Sequence, residues 1–332
     1  MTRVAVLGAG SWGTTLADLL ARKGEDVRIW AYEAELVDAI NARHENPIYL
    51  PGCPLAPRLT AAADARDVIR GAEVILSAAP SHAVRAVLGR VAGCVTPGTL
   101  VVSATKGLEV ESLEFMSAVI GEVLPEARVA VLSGPSFAEE VYRGQPTAVV
   151  AASTEPSTAQ AAQQLFATPA FRVYSHSDVI GAELGGALKN VIAIAAGILD
   201  GLGLGDNARA ALLTRGLAEI SRLGSALGAD PLTFAGLAGM GDLILTACGQ
   251  LSRNRALGVA VARGTTFEQY RAEHRSVAEG ANASRAGAAL GARAGVELPI
   301  TAQVGDVLFR GKPARESVAE LMGRELKSEQ WR

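Results

Sequence analysis

The chain has 332 residues, 49% of them hydrophobic but only 5% aromatic, with 36 glycines and a formal net charge of −3 from 31 basic and 34 acidic side chains. That length accommodates two domains with separate cores, and the near balance of charge argues against broad nucleic-acid binding while leaving room for a local basic pocket. Three scattered cysteines (Cys53, Cys94, Cys248) and four histidines without paired spacing form neither a disulfide framework nor a zinc pattern, so no metal is expected.

Up to residue 178, short β-rich runs alternate with helical stretches. Strands are predicted at Val4–Leu7, Val27–Trp30, Val74–Ala78, Leu100–Ser103, Val129–Leu132, Ala148–Ala151 and Arg172–Tyr174. Helical patterns fall between most of them, at Thr14–Lys23, Glu33–Asn41, Val84–Val91, Leu113–Val123 and Thr158–Phe166. This alternation predicts an α/β fold with an N-terminal Rossmann-type, doubly wound parallel sheet, and a mixed edge where the later helices are less clear. From residue 179 strand signals nearly vanish. Helices are predicted at Val179–Leu199, Ala208–Ala226, Pro231–Phe234, Arg253–Arg263, Asn282–Ala294, Pro299–Leu308 and Arg315–Gly323, which makes residues 179–332 an all-helical second domain. The longest apolar run, Val191–Leu199, falls far short of the ~20 residues that cross a bilayer. Met1-Thr2-Arg3 leads straight into a strand pattern without a signal-like segment, so a soluble, cytoplasmic protein is expected.

Gly8-Ala9-Gly10-Ser11-Trp12-Gly13 stands where the first strand turns into the first helix, the context in which a GxGxxG string binds a dinucleotide. Gly8 permits the tight turn, Gly10 lets a pyrophosphate approach the backbone, and Gly13 lets helix and strand pack closely. Residues 1–178 are therefore expected to be a dinucleotide-binding domain. Glu33, 20 residues beyond Gly13, could hydrogen-bond a ribose hydroxyl or, falling a little past the expected end of the strand, only begin the next helix, and Ala31-Tyr32-Glu33 holds no cation for a 2′-phosphate. These residues lean to NAD but leave NAD or NADP open.

The middle of the chain carries Glu183-Leu184-Gly185-Gly186-Ala187-Leu188-Lys189-Asn190. A glycine in a helix costs roughly 1 kcal/mol against alanine, so something must approach this helix closely. Lys189 shares a face with Gly185, Gly186, Ala193 and Ala196, which reads as an amine in a slot cleared for ligands. Lys106, in Thr105-Lys106-Gly107, and Ser133-Gly134-Pro135-Ser136-Phe137-Ala138 both follow strands, whose ends line the ligand crevice of such a sheet. Gly239-Met240-Gly241-Asp242 follows no strand and is not a phosphate loop; Asp242 is expected to support a cation or cap a helix. Ser252-Arg253-Asn254 opens a helix with Ser252 as N-cap, and a helix start with a guanidinium suits a phosphate.

Taken in order, these strings resemble the bacterial NAD(P)-dependent glycerol-3-phosphate dehydrogenases nearly end to end. Asn46-Pro47-Ile48-Tyr49-Leu50-Pro51-Gly52 and Val277-Ala278-Glu279-Gly280 add to the likeness. The resemblance implies reversible reduction of dihydroxyacetone phosphate to sn-glycerol 3-phosphate with NAD or NADP, feeding phospholipid synthesis, in a homodimer without metal. It implies Lys189 as catalytic acid/base with Asp242 beside it. Lys106, Gly134, Ser136, Asn190, Thr246, Ser252, Arg253 and Asn254 would surround the substrate. Gly8, Gly10, Ser11, Trp12, Gly13, Tyr32, Lys106, Ala138, Arg253, Val277 and Glu279 would touch the cofactor. Relatives often carry a basic residue just after the tryptophan that ends the second strand, whereas here Ala31-Tyr32 follows Trp30. Two rival readings stay open at this level: a related Rossmann dehydrogenase of a β-hydroxy acid or sugar acid, and a non-catalytic nucleotide-sensing module.

Overall fold

The structure is a computed structural model that describes residues 1–274, 278–326 and 328–329. Its sheet contains β1 (Arg3–Leu7), β2 (Asp26–Trp30), β3 (Thr60–Ala62), β4 (Val74–Ser77), β5 (Leu100–Ser103), β6 (Arg128–Ser133), β7 (Thr147–Ala152) and β8 (Phe171–His176). The order is β3-β2-β1-β4-β5-β6-β7-β8. Every pairing is parallel except the antiparallel β6–β7 pair, which is the expected mixed edge. The strand order reverses between β1 and β4, so the ligand crevice opens beyond their carboxyl ends. Val4–Leu7 and Val74–Ser77 are buried throughout, the continuous apolar character of strands covered on both faces.

β3 was not predicted. Its Thr-Ala-Ala sequence has little β preference, and it sits half-exposed at the sheet edge where pairing with β2 alone fixes it. The predicted helix at Leu113–Val123 starts later, at Met116, because Leu113 adopts a left-handed backbone. Four short helices were also missed: Ala65–Ile69, Ala138–Tyr142, Asp242–Cys248 and Phe267–Glu273. The last begins with a full capping box from Thr266 and Gln269.

The helix Val179–Gly201 is the axis of the second half. Asp178 caps it, accepting from the Gly181 amide at 2.8 Å, and its other oxygen accepts from Thr233 Oγ1 at 2.6 Å. Residues 181–199 are buried on every face. By length and composition this helix, like the segment Pro231–Cys248, is apolar enough to cross a membrane, but 89% of its apolar window is buried inside the protein. It is a core helix.

Glu183, on this helix, crosses to the Rossmann half. Its carboxylate accepts from the Ser117 amide at 2.9 Å and from Ser117 Oγ, at the start of the helix Met116–Val123. Burial raises its pKa from 4.5 to about 7, against the opposing pull of the Ser117 hydrogen bonds. A raised carboxyl contributes its stability below the unfolded value and loses it as pH climbs through the folded one. Glu183→Gln, which mimics the protonated acid, should therefore gain in stability relative to wild type as pH rises from 4.5 to about 7. Urea unfolding midpoints of both proteins across that range test this; parallel curves would refute it.

Candidate active site

One cavity of about 740 Å³ runs from the glycine turn to the Lys189 helix. At one end, Gly8 takes a φ of +122°, and a Cβ there would strike Ala78 at 2.8 Å. A Cβ on Gly13 would lie 2.0 Å from the Gly8 carbonyl, whereas one on Gly10 would meet nothing within 4 Å. Gly8 and Gly13 are thus required by packing, and Gly10 keeps open the backbone face that a ligand would approach. The helix Ser11–Lys23 begins at this point with no side-chain cap, leaving its first amides to an anion. The buried Trp12 indole N–H also has no partner among the described residues. These features fit a dinucleotide pyrophosphate. Ser11, Trp12, Tyr32 and Ala138 line the same end.

At the other end, three chain segments converge on one carboxylate. Lys106, on the loop after β5, donates to Asp242 Oδ2 at 2.8 Å and to the Gly134 carbonyl at 2.8 Å. Lys189 donates to Asp242 Oδ1 and, at 2.9 Å, to Thr246 Oγ1. Asp242 has no exposed surface and stands behind both lysines, outside the cavity wall, so it positions them without reaching a ligand. Burial drives the Lys189 pKa down from 10.5 to about 7; Asp242 opposes the fall and Lys106 adds to it.

Several expected substrate residues turn out to bind each other. Asn254 Nδ2 donates to Asn190 Oδ1 at 2.9 Å while its own Oδ1 accepts from the Gly280 amide at 3.0 Å, tying three helices together. Ser252 caps the helix Arg253–Ala262, accepting from the Arg255 amide at 3.2 Å. All three still line the cavity, with Lys106, Ser136, Thr246, Arg253 and Glu279. Gly134 does not line it; its φ of +133° and close contact with Val149 serve the turn, and its carbonyl serves Lys106. Arg253 is exposed on the wall and makes no hydrogen bond among the described residues. Glu279 is half-buried, its carboxyl is desolvated, which raises its pKa, and it accepts from Ser81 Oγ at 3.2 Å. Val277 lies outside the described residues.

One expectation is corrected. Gly185 and Gly186 are not cleared for ligands. A Cβ on Gly185 would lie 2.4 Å from the Ala238 carbonyl, and one on Gly186 would lie 2.9 Å from Ser133 Oγ. The helix gives way to the protein's own π-helical turn Leu237–Gly241, which delivers Asp242. Glu33, the candidate for a ribose hydroxyl, lines the cavity too, which also recruits residues that carried no assigned role: Ile48, Tyr49, His82 and Arg90. Ile48 and Tyr49 belong to the Asn46–Gly52 string; His82 follows β4 just as Lys106 follows β5, the positional signal that could have found it. Among the described residues no group of three or more His, Cys, Asp or Glu side chains could hold a metal ion.

Family models for the N-terminus and C-terminus of NAD-dependent glycerol-3-phosphate dehydrogenase match residues 3–159 and 178–319. The chain belongs to the NAD-dependent glycerol-3-phosphate dehydrogenase family. It is 54% identical over 332 residues, 99% of both chains, to the glycerol-3-phosphate dehydrogenase (NAD(P)+) of Geobacter sulfurreducens. It is similar to the crystal structure of glycerol-3-phosphate dehydrogenase from Coxiella burnetii, with 40% identity, a TM-score of 0.93 and coverage of 97% and 98% of the two chains. A ketopantoate reductase of the PanE/ApbA family from Ralstonia eutropha, 19% identical with a TM-score of 0.63 over 96% and 99% of the chains, shares the fold alone.

Because the Gly185 slot is filled by backbone, it is intolerant of a single methyl group. Gly185→Ala should cost about 1–3 kcal/mol of stability by overpacking and lower activity by shifting the turn that carries Asp242. Denaturant unfolding and turnover, measured on the same preparation, check both effects; a variant unchanged in each would disprove this account of the glycine.

Proposed function

We propose that this chain catalyses the reversible, nicotinamide-dependent reduction of dihydroxyacetone phosphate to sn-glycerol 3-phosphate, with Lys189 as the acid/base. The observation that carries the reading is the buried Lys189 amine, locked to Asp242 yet opening into the same cavity as the glycine turn. Membership of the family supports the substrate. When bound, the nicotinamide supplies or accepts the hydride. The chain's own residues manage charge and position. In reduction, protonated Lys189 donates to the oxygen that becomes the alcohol; in oxidation, the neutral amine takes that proton back. Arg253, at the start of its helix, offers a guanidinium and free amides to the distant phosphate, so that remote binding energy places the reacting carbon.

The same reading assigns 1–178 to the cofactor and 179–332 to the substrate. The two family matches, which end at 159 and begin at 178, support that division. It also carries a role in supplying glycerophospholipid synthesis, a cytoplasmic location and a homodimeric state, the last checked by analytical ultracentrifugation.

The direct test mixes purified protein with dihydroxyacetone phosphate and follows oxidation of NADH and NADPH separately. Turnover is expected with this ketone and not with β-keto acids. The reverse preference would favour the hydroxy-acid reading, and binding without turnover the sensing module. Lys189→Ala should lower turnover on the order of 10²–10⁴-fold with nucleotide affinity retained.

The lowered pKa gives each direction its own pH profile. Reduction needs the ammonium form, so its kcat/KM should be highest below about 7 and fall as pH rises through it. Oxidation needs the free amine and should rise over the same interval. Profiles with the same slope in both directions would remove Lys189 from the proton transfer.

A further inference from the structure

We infer that Glu33 and Tyr49 make this enzyme selective for NAD(H) over NADP(H), an inference that rests on the dinucleotide reading of the cavity. Glu33 follows the carboxyl end of β2, the place where Rossmann folds read the ribose 2′ position. It is half-buried in the cavity wall, and its carboxylate accepts from the Tyr49 hydroxyl at 2.6 Å. Tyr49 is itself anchored. Its amide donates to Asn46 Oδ1 at 3.0 Å, and buried Asn46 donates onward to the Ala9 carbonyl and to Thr14 Oγ1, each at 2.8 Å. The carboxylate is therefore tied, through residues 46–49, to the glycine turn that would hold the pyrophosphate.

That tether decides specificity. A free surface glutamate could swing aside to admit a 2′-phosphate, but this one would have to break its bond to Tyr49. Held in place, it can accept from a ribose hydroxyl, whereas a phosphate there would set two like charges side by side. Of the cations on the cavity wall, Lys106 and Lys189 are committed to Asp242 at the far end. Arg253 accompanies Glu279 at that end and acts on its charge. This leaves Arg90, which ends the helix Val84–Gly89; that helix shares an apolar cluster with Trp30. Arg90 is the side chain that could counter the carboxylate, so the test includes it.

The experiment titrates the protein with NADH and NADPH separately, without substrate, and reads nicotinamide fluorescence. Binding is thereby scored apart from turnover, and failure of the substrate assignment leaves the result intact. Wild type should bind NADH at least about tenfold tighter than NADPH. Glu33→Gln should narrow that ratio about fivefold or more, mainly by tightening NADPH. Tyr49→Phe, which frees the carboxylate to turn away, should narrow it part of the way. Arg90→Ala should leave it in place. Equal or tighter NADPH binding by wild type overturns the inference, as does an unchanged ratio in Glu33→Gln or a loss of NADPH binding confined to Arg90→Ala. If neither nucleotide binds, the dinucleotide reading falls with it.

Discussion

Everything at the Lys189 end of the cavity depends on one buried carboxylate shared between two lysines. Taking Asp242 wholly out of water is expensive, by several kcal/mol for an ion without partners. Lys106 and Lys189 answer both of its oxygens. The three residues arrive from the loop after β5, from the core helix Val179–Gly201 and from the turn Leu237–Gly241. The ion cluster is therefore also a joint. It fastens the sheet half to the helical half beside the cavity, and Glu183 fastens the same helix to the sheet half six residues earlier.

The glycines along the core helix show how that joint is built. Gly185 admits the Ala238 carbonyl, and Gly197 admits the Arg255 carbonyl at a distance no Cβ would survive. The helix is thus notched where neighbouring segments must come close, first for the turn that carries Asp242 and then for the helix that carries Arg253. A small-residue surface on one helix positions Asp242 and Arg253, which belong to others.

Much of this was legible in the sequence, though not evenly. The glycine turn was readable because its residues, spacing and strand-to-helix context all point one way, and each glycine has its own steric reason. Lys189 and Asp242 stood out as charges among small or apolar residues and Arg253 as a guanidinium at a helix start, but only the family resemblance joined them as a set. The purpose of Gly185 and Gly186 was not legible. A helical Gly-Gly pair says that something comes close, and the one-dimensional pattern cannot distinguish a ligand from the protein's own backbone. Asn254 and Ser252 were singled out for contact with substrate, yet their hydrogen bonds go largely to the scaffold, since amide and hydroxyl side chains serve either purpose equally well. Tyr49 escaped notice as a functional residue because its partner, Glu33, is 16 positions away and no periodicity links a loop to the end of a strand.

The geometry also bears on the proposed acid/base role, in which a lysine gripped by a carboxylate must still exchange its proton. An isolated Lys–Asp pair would hold the ammonium form too firmly for use near neutral pH, because the carboxylate stabilises precisely the charge that must be given up. Burial works the other way, and it is the largest influence on Lys189. Lys106 then divides the attention of Asp242 and adds its own repulsion. The carboxylate can orient the amine while its hold on the proton is offset by desolvation and by a second cation. Lys106 is thus more than a spare positive charge on the cavity wall: it shares the anchor that positions Lys189 and adds to the fall in its pKa that burial begins.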